Sequence, residues 1–272
     1  MFYKEYKPCD SLKKYIKCFW IMEKEYSNNF VLGDTEYLWP SGLTEILFVT
    51  GPNFKLINNL DETVLPNEMV VGAYNRKFIL KNNGHSRIVG IRCYNHGANL
   101  LFGIDLNSIK NTIIEVKVKD INKEILDSDN KETIIQELNS YCEKLIKEDE
   151  FADILYKLYK EENLSLEELS VEANLSLRQF ERKVKKYTSF TPKELITIIR
   201  FDKARIKMLF SKDYLQVMHD LDYYDYSHFS KDFKKYFEIT PKQFIDIYSK
   251  RFKWFMSNFY NTNIALKYII TL

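Results

Sequence analysis

Cysteine, histidine and long apolar runs are scarce in this chain, and each scarcity removes a class of function. The four cysteines, Cys9, Cys18, Cys93 and Cys142, are scattered and form no C-x-x-C, so neither a zinc knuckle nor a disulfide framework is expected. They read as reduced cytosolic thiols. Only His85 and His96 fall in the first half, in "NNGHS" and "YNHGA", which read as loops, whereas a metal site inside a β-barrel needs several His and a carboxylate converging. No Ser-His-Asp, Cys-His or glycine-rich phosphate-loop pattern offers another route to catalysis. Enzymatic activity, a metal and a cofactor are therefore not expected. The start "MFYKEYKPCD" holds no apolar leader, and Lys, Ser and Asn interrupt "FKWFMSNFYNTNIALKYIITL" before about 18 apolar residues accumulate. A cytoplasmic protein without a membrane span is expected.

What is present is an ordinary globular composition, 45% hydrophobic and 29% charged, over a length that favours two domains. The formal charge of +2 hides an asymmetry, because residues 1–163 carry −4 and residues 164–253 carry +5. A polyanion would meet the second half. Residues 1–118 read as β-rich: "YIKCFWIM", "TEILFVT", "NFKLIN", "RKFILK" and "RIVGIRCY" are short β-branched and aromatic runs punctuated by Pro, Gly and Asn. A β-barrel or sandwich-like domain that senses a ligand or holds a dimer is expected. Residues 119–162 switch to helical periodicity, with Ile134, Ile135, Leu138, Tyr141, Cys142 and Leu145 on one stripe, then Phe151, Ile154, Leu155, Leu158 and Tyr159. This segment reads as a helical linker or as dimerisation helices, and the overall class is α+β.

Residues 163–248 read as all-α. "SLEE", "SLRQ", "TPKE" and "TPKQ" each fit the capping-box pattern, in which a hydroxyl and a side chain three residues on satisfy each other's backbone donors. A repeat stands out: "QFERKVKKYTSFTPKEL" (179–195) aligns without a gap on "HFSKDFKKYFEITPKQF" (228–244). Each copy follows a short apolar helix and a turn, giving helix-turn-helix twice. Leu177, Phe180, Val184 and Tyr187 fall on one side of the first helix; Tyr226, Phe229, Phe233 and Tyr236 or Phe237 fall on one side of the second. The remaining faces are basic, net +4 for 176–187 and +1 for 225–236. A helix of about 19 residues between the copies spans roughly 28 Å, near one turn of B-DNA, so two recognition helices could enter successive major grooves on one face.

The segment 164–244 resembles the paired helix-turn-helix domain of the AraC-type transcription regulators. The resemblance rests on Leu175–Pro192, on "RFDKARIKML" (200–209) and above all on "YDYSHFSKDFKKYFEITPKQF" (224–244). It implies a regulator of transcription that binds double-stranded DNA, with activation the commoner mode, a small-molecule effector, contact with RNA polymerase and a homodimer. It places base contacts at Arg178, Glu181 and Arg182, and at Tyr226, Ser227 and Lys231, with Gln179 and His228 beside them. Arg is suited to the guanine edge. Lys185, Lys186, Lys234 and Lys235 are expected at phosphates. Where the family usually has glycine, this chain has Ser189, Glu238 and Asp222, and Met218 replaces the usual Ala. "LWPSGLTEILFV" (38–49) and residues 88–111 resemble, less specifically, a β-rich domain that precedes this unit in some such regulators. A metal-dependent β-barrel enzyme with an appended DNA-binding domain and a protein-interaction adaptor are the rival readings. Residues 249–272 read as a carboxy-terminal extension packing Phe252, Phe255, Met256 and Phe259 on the protein or offering a partner surface.

Overall fold

A computed structural model describes residues 1–26, 35–58, 61–161, 164–211, 214–221 and 223–248. The expected extension 249–272 and Asp222 lie outside them. Among the described residues the amino-terminal half forms ten strands in two antiparallel sheets. One has the order β1 (Phe2–Tyr6), β2 (Ile16–Tyr26), β9 (Gly84–Tyr94), β4 (Leu43–Thr50), β7 (Glu68–Val71), β10 (Ile113–Glu115); the other has the order β3 (Thr35–Leu38), β8 (Phe78–Lys81), β5 (Lys55–Asn58), β6 (Asp61–Val64). All five expected strand runs are present. Among the described residues neither sheet closes on itself, so of the two expected architectures the open, sandwich-like one is found.

Central strands β2 and β9 are buried along nearly their whole length, as befits runs rich in Ile, Val and aromatics covered on both faces. Trp20 lies opposite Gly90 in their register, and a Cβ at Gly90 would stand 2.2 Å from the indole. That position holds glycine because the ring needs the space. The charges inside are paired: Arg92 donates to Glu45 and, at 2.7 Å, to Glu5, while the Trp20 indole N–H donates to the other Glu45 oxygen at 2.9 Å. The four cysteines are free, and burial pushes the Cys18 thiol up to about 12. Among the described residues no helix is long and apolar enough to cross a membrane.

Helices follow: α1 (Asn95–Phe102), α2 (Lys123–Leu126), α3 (Lys131–Lys144) and α4 (Phe151–Lys160). Ile134, Leu138, Tyr141 and Cys142 of α3, and all five expected apolar residues of α4, are buried within this chain. The paired helix-turn-helix units supply the rest, as α5 (Leu166–Glu172), α6 (Leu177–Thr188), α7 (Pro192–Ser211), α8 (Tyr214–His219) and α9 (Tyr226–Phe237), with a further helical run at 241–248. The α+β class is as expected.

The histidines are corrected. His85 belongs to β9, and His96 sits in the first turn of α1, fully buried among Tyr15, Tyr94 and Tyr159. Its Nε2–H donates to the Lys14 carbonyl at 2.7 Å, while Nδ1 is buried without a partner, which fits the neutral ring. Burial holds its pKa down at about 4. Because the unfolded chain binds the proton more readily, stability falls as pH drops below about 6.5 and levels off near 4, by a total on the order of 3 kcal/mol. Urea midpoints of wild type and His96→Gln across pH 4 to 7 check this: the variant's curve is expected to be flatter, and parallel curves contradict the assignment.

Candidate nucleic-acid interface

Each recognition helix begins at a side-chain cap. Ser176 accepts from the Gln179 N–H while the Gln179 carboxamide oxygen accepts from the Ser176 N–H at 3.0 Å, a complete capping box. Thr191 with Glu194 and Thr240 with Gln243 form the same reciprocal pair. "SLEE" is only half made, for Ser165 receives the Glu168 N–H without a return bond from the Glu168 side chain among those present. On α9 the cap is Asp225, which accepts from the His228 N–H at 2.8 Å. In the first turn, between α5 and α6, Asn174 takes φ +53, a left-handed conformation that Asn tolerates through its short polar side chain. The sequence reading passed over it, although Asn after a helical run signals this turn.

The apolar sides differ from expectation at their starts. Phe180 and Val184 on α6, and Phe229, Phe233, Tyr236 and Phe237 on α9, are buried, whereas Leu177 and Tyr226 are 37% and 43% exposed. Both lie in the first helical turn, which projects past the core they were assigned to. Arg178, Gln179, Arg182, Lys185 and Lys186 are exposed on α6, with Glu181 half-buried. Tyr226, Ser227, His228, Lys231, Lys234 and Lys235 are exposed on α9. Two of these have local work: Gln179 spends its carboxamide oxygen on the cap, and His228 faces Asp232 at 3.7 Å and the Tyr223 ring at 5.0 Å. Lys183 lies over the Phe151 ring at 4.2 Å and Tyr187 donates to Asp149, just before α4, at 2.8 Å, so both tie α6 to the start of α4. Burial first, and Asp149 second, push the Tyr187 phenol up to about 12, which keeps it a donor.

Beyond the helices, Ser189 and Glu238 occupy left-handed backbone, φ +65 and +59, where the family resemblance places glycine. Both turns touch the β-rich domain. Lys110 donates to the Ser189 carbonyl at 3.1 Å, and Lys77 pairs with Glu238 at 2.9 Å. Met218 is buried, as its place between helices requires. A cleft of about 210 Å³ lies where Leu38, Trp39 and Tyr74 face Asp202 and Arg205 of α7. Among the described residues no cluster of three His, Cys, Asp or Glu is placed to hold a metal.

Two helix-turn-helix units with exposed basic helices have the form of a DNA-binding domain. Residues 169–246 match a model described as a helix-turn-helix domain, and residues 4–115 match one described as a domain of unknown function (DUF6597). Residues 169–246 therefore carry a helix-turn-helix domain of the AraC type. No curated protein sequence matches it. Among solved structures, it is similar to a lysine-to-alanine variant of apo ToxT from Vibrio cholerae, at 16% identity over 84% of this chain and 97% of that one, TM-score 0.45. Wild-type ToxT bound to an unsaturated fatty acid gives 15% identity over 84% and 94%, TM-score 0.42. The C-terminal domain of the response regulator yesN from Fusobacterium nucleatum gives 26% identity over 34% and 91%, TM-score 0.29.

Ser189→Gly removes a Cβ from left-handed backbone and a buried hydroxyl that has no partner. It is expected to stabilise the chain by about 1 kcal/mol, read as a higher urea midpoint. A lower midpoint would mean that the side chain's packing outweighs the strain.

Proposed function

We propose that the protein regulates transcription by reading one face of a DNA duplex with α6 and α9 in successive major grooves, under control of a small molecule. The observation that carries this reading is the pairing itself: two helices, each capped at its start and exposed along a basic face, one before and one after the 20-residue helix α7 in the chain. Arg178 and Arg182 present guanidinium forks that match guanine O6 and N7, and Tyr226, Ser227 and Lys231 occupy the corresponding turn of α9. Gln179, Glu181 and His228 adjoin these readers. Lys185, Lys186, Lys234 and Lys235, near the far ends of the helices, meet phosphates and fix register without reading sequence. The cleft between the β-rich domain and α7 is the effector's place, since a ligand there touches both halves of the chain. A cytoplasmic location completes the reading, and activation through RNA polymerase and a homodimer rest on the family resemblance alone.

Selection of bound duplexes from a randomised pool by the full chain at about 150 mM salt, where nonspecific attraction is suppressed, tests it. An enriched motif with two elements about 10 base pairs apart supports paired reading; enrichment of a single element refutes it. Arg182→Ala is expected to weaken the selected site by about 1 to 3 kcal/mol and relax preference at one base position, and an equal loss on random DNA contradicts a base contact. Lys185→Ala is expected to weaken all sequences alike and to reduce the salt slope by roughly one counterion; an unchanged slope places it off the phosphate.

A further inference from the structure

We propose that the β-rich domain is a splint that sets the distance between the two recognition helices, gripping each at the turn that ends it. The inference rests on the two-element reading above and adds residues that position the readers without touching DNA.

An α-helix leaves its last carbonyls without partners inside the helix. At the end of α6 three side chains of the other domain supply them. Asn107 donates to the Lys186 carbonyl at 3.0 Å, Asn95 to the Thr188 carbonyl at 3.1 Å, and Lys110 to the Ser189 carbonyl at 3.1 Å. The lysine also brings a cation to the negative end of the helix and lies over the Phe190 ring at 4.4 Å. Asn95 is fully buried and is itself held: Thr44 of β4 donates to its carboxamide oxygen at 2.9 Å, and its backbone N–H donates to the Tyr159 hydroxyl of α4 at 3.2 Å. The first grip therefore runs from the central sheet to the end of α6 through one side chain.

The second grip uses other chemistry at the equivalent place. Glu238 ends α9 and pairs with Lys77, whose side chain is only 17% exposed. Beside it Trp39, 2% exposed, packs edge-on against Phe237 at 5.7 Å and Phe244 at 5.5 Å, and its indole N–H donates to the Tyr248 hydroxyl. Both grips hold carboxy-terminal ends. Arg178, Arg182, Ser227 and Lys231, in the amino-terminal halves of the helices, stay exposed, so docking leaves the reading faces open and fixes where they point. This also accounts for Glu at a position that favours glycine, since its carboxylate is half of the second grip.

The test measures affinity for the selected duplex and for versions with one or two base pairs inserted between its elements. Wild type is expected to lose at least about tenfold per insertion, because each inserted pair rotates and displaces one element relative to the other. Glu238→Gly, which the left-handed turn accommodates, and Lys77→Glu, which sets two carboxylates together, are each expected to cut that penalty to threefold or less. The exchanged pair Lys77→Glu with Glu238→Lys restores it. A wild type indifferent to spacing overturns the two-element reading and the splint with it. Variants that keep the full wild-type penalty overturn the splint alone, and so does an exchanged pair that stays as tolerant as Lys77→Glu.

Discussion

The constraint on which this molecule turns is the unfinished hydrogen bonding at the end of α6. The last carbonyls of that helix have no partners of their own, and they are met by Asn107, Asn95 and Lys110 from the β-rich half. Asn95 is the pivot. It joins β4, α4 and α6 through Thr44, Tyr159 and the Thr188 carbonyl, with no exposure to solvent, so losing any of the three leaves a buried polar group unpaired, at a cost of about 1 to 3 kcal/mol. The surrounding packing follows from it. Gly97 passes so close to the Tyr15 carbonyl that a Cβ there would approach it to 2.0 Å, and Gly42 lies against Leu195 and Ile199 of α7.

The two reading units are not equivalent. The first has the stronger positive face, a complete capping box and three carbonyls fixed by another domain. The second starts from Asp225, sets Asp232 beside His228 on its outer surface, and is attached through aromatic rings and one partly exposed ion pair. The half-buried Lys77–Glu238 pair fixes where the end of α9 sits, and the Trp39 rings give the unit the apolar surface it rests on. An effector in the cleft beside Trp39 would act on the second unit first.

Much of this was legible in the sequence because its causes are local. Capping pairs are three residues apart, strands announce themselves by β-branched runs, and the repeated segment is its own evidence of duplication. The unusual Ser189 and Glu238 were visible as departures from glycine, and both do hold left-handed backbone. The docking was not legible: Asn95 and Thr188 are 93 positions apart, Lys77 and Glu238 are 161, and Trp39 and Tyr248 are 209. Nothing local marks such partners. "YNHGA" has the look of a loop, and α1 starts there without a capping side chain to announce it, Tyr94 being merely extended before it. Leu177 and Tyr226 followed the periodicity of their helices but lie beyond the core's edge, where periodicity no longer implies burial.

The central claim is that one chain lays two helices into neighbouring major grooves of one duplex. Hydroxyl-radical footprinting of the full chain on its selected site, with guanine N7 methylation interference on the same duplex, addresses it most directly. The account predicts two interference windows about 10 base pairs apart, flanked by backbone protection on one face of the DNA. A single window, with protection spanning only one groove, would contradict it.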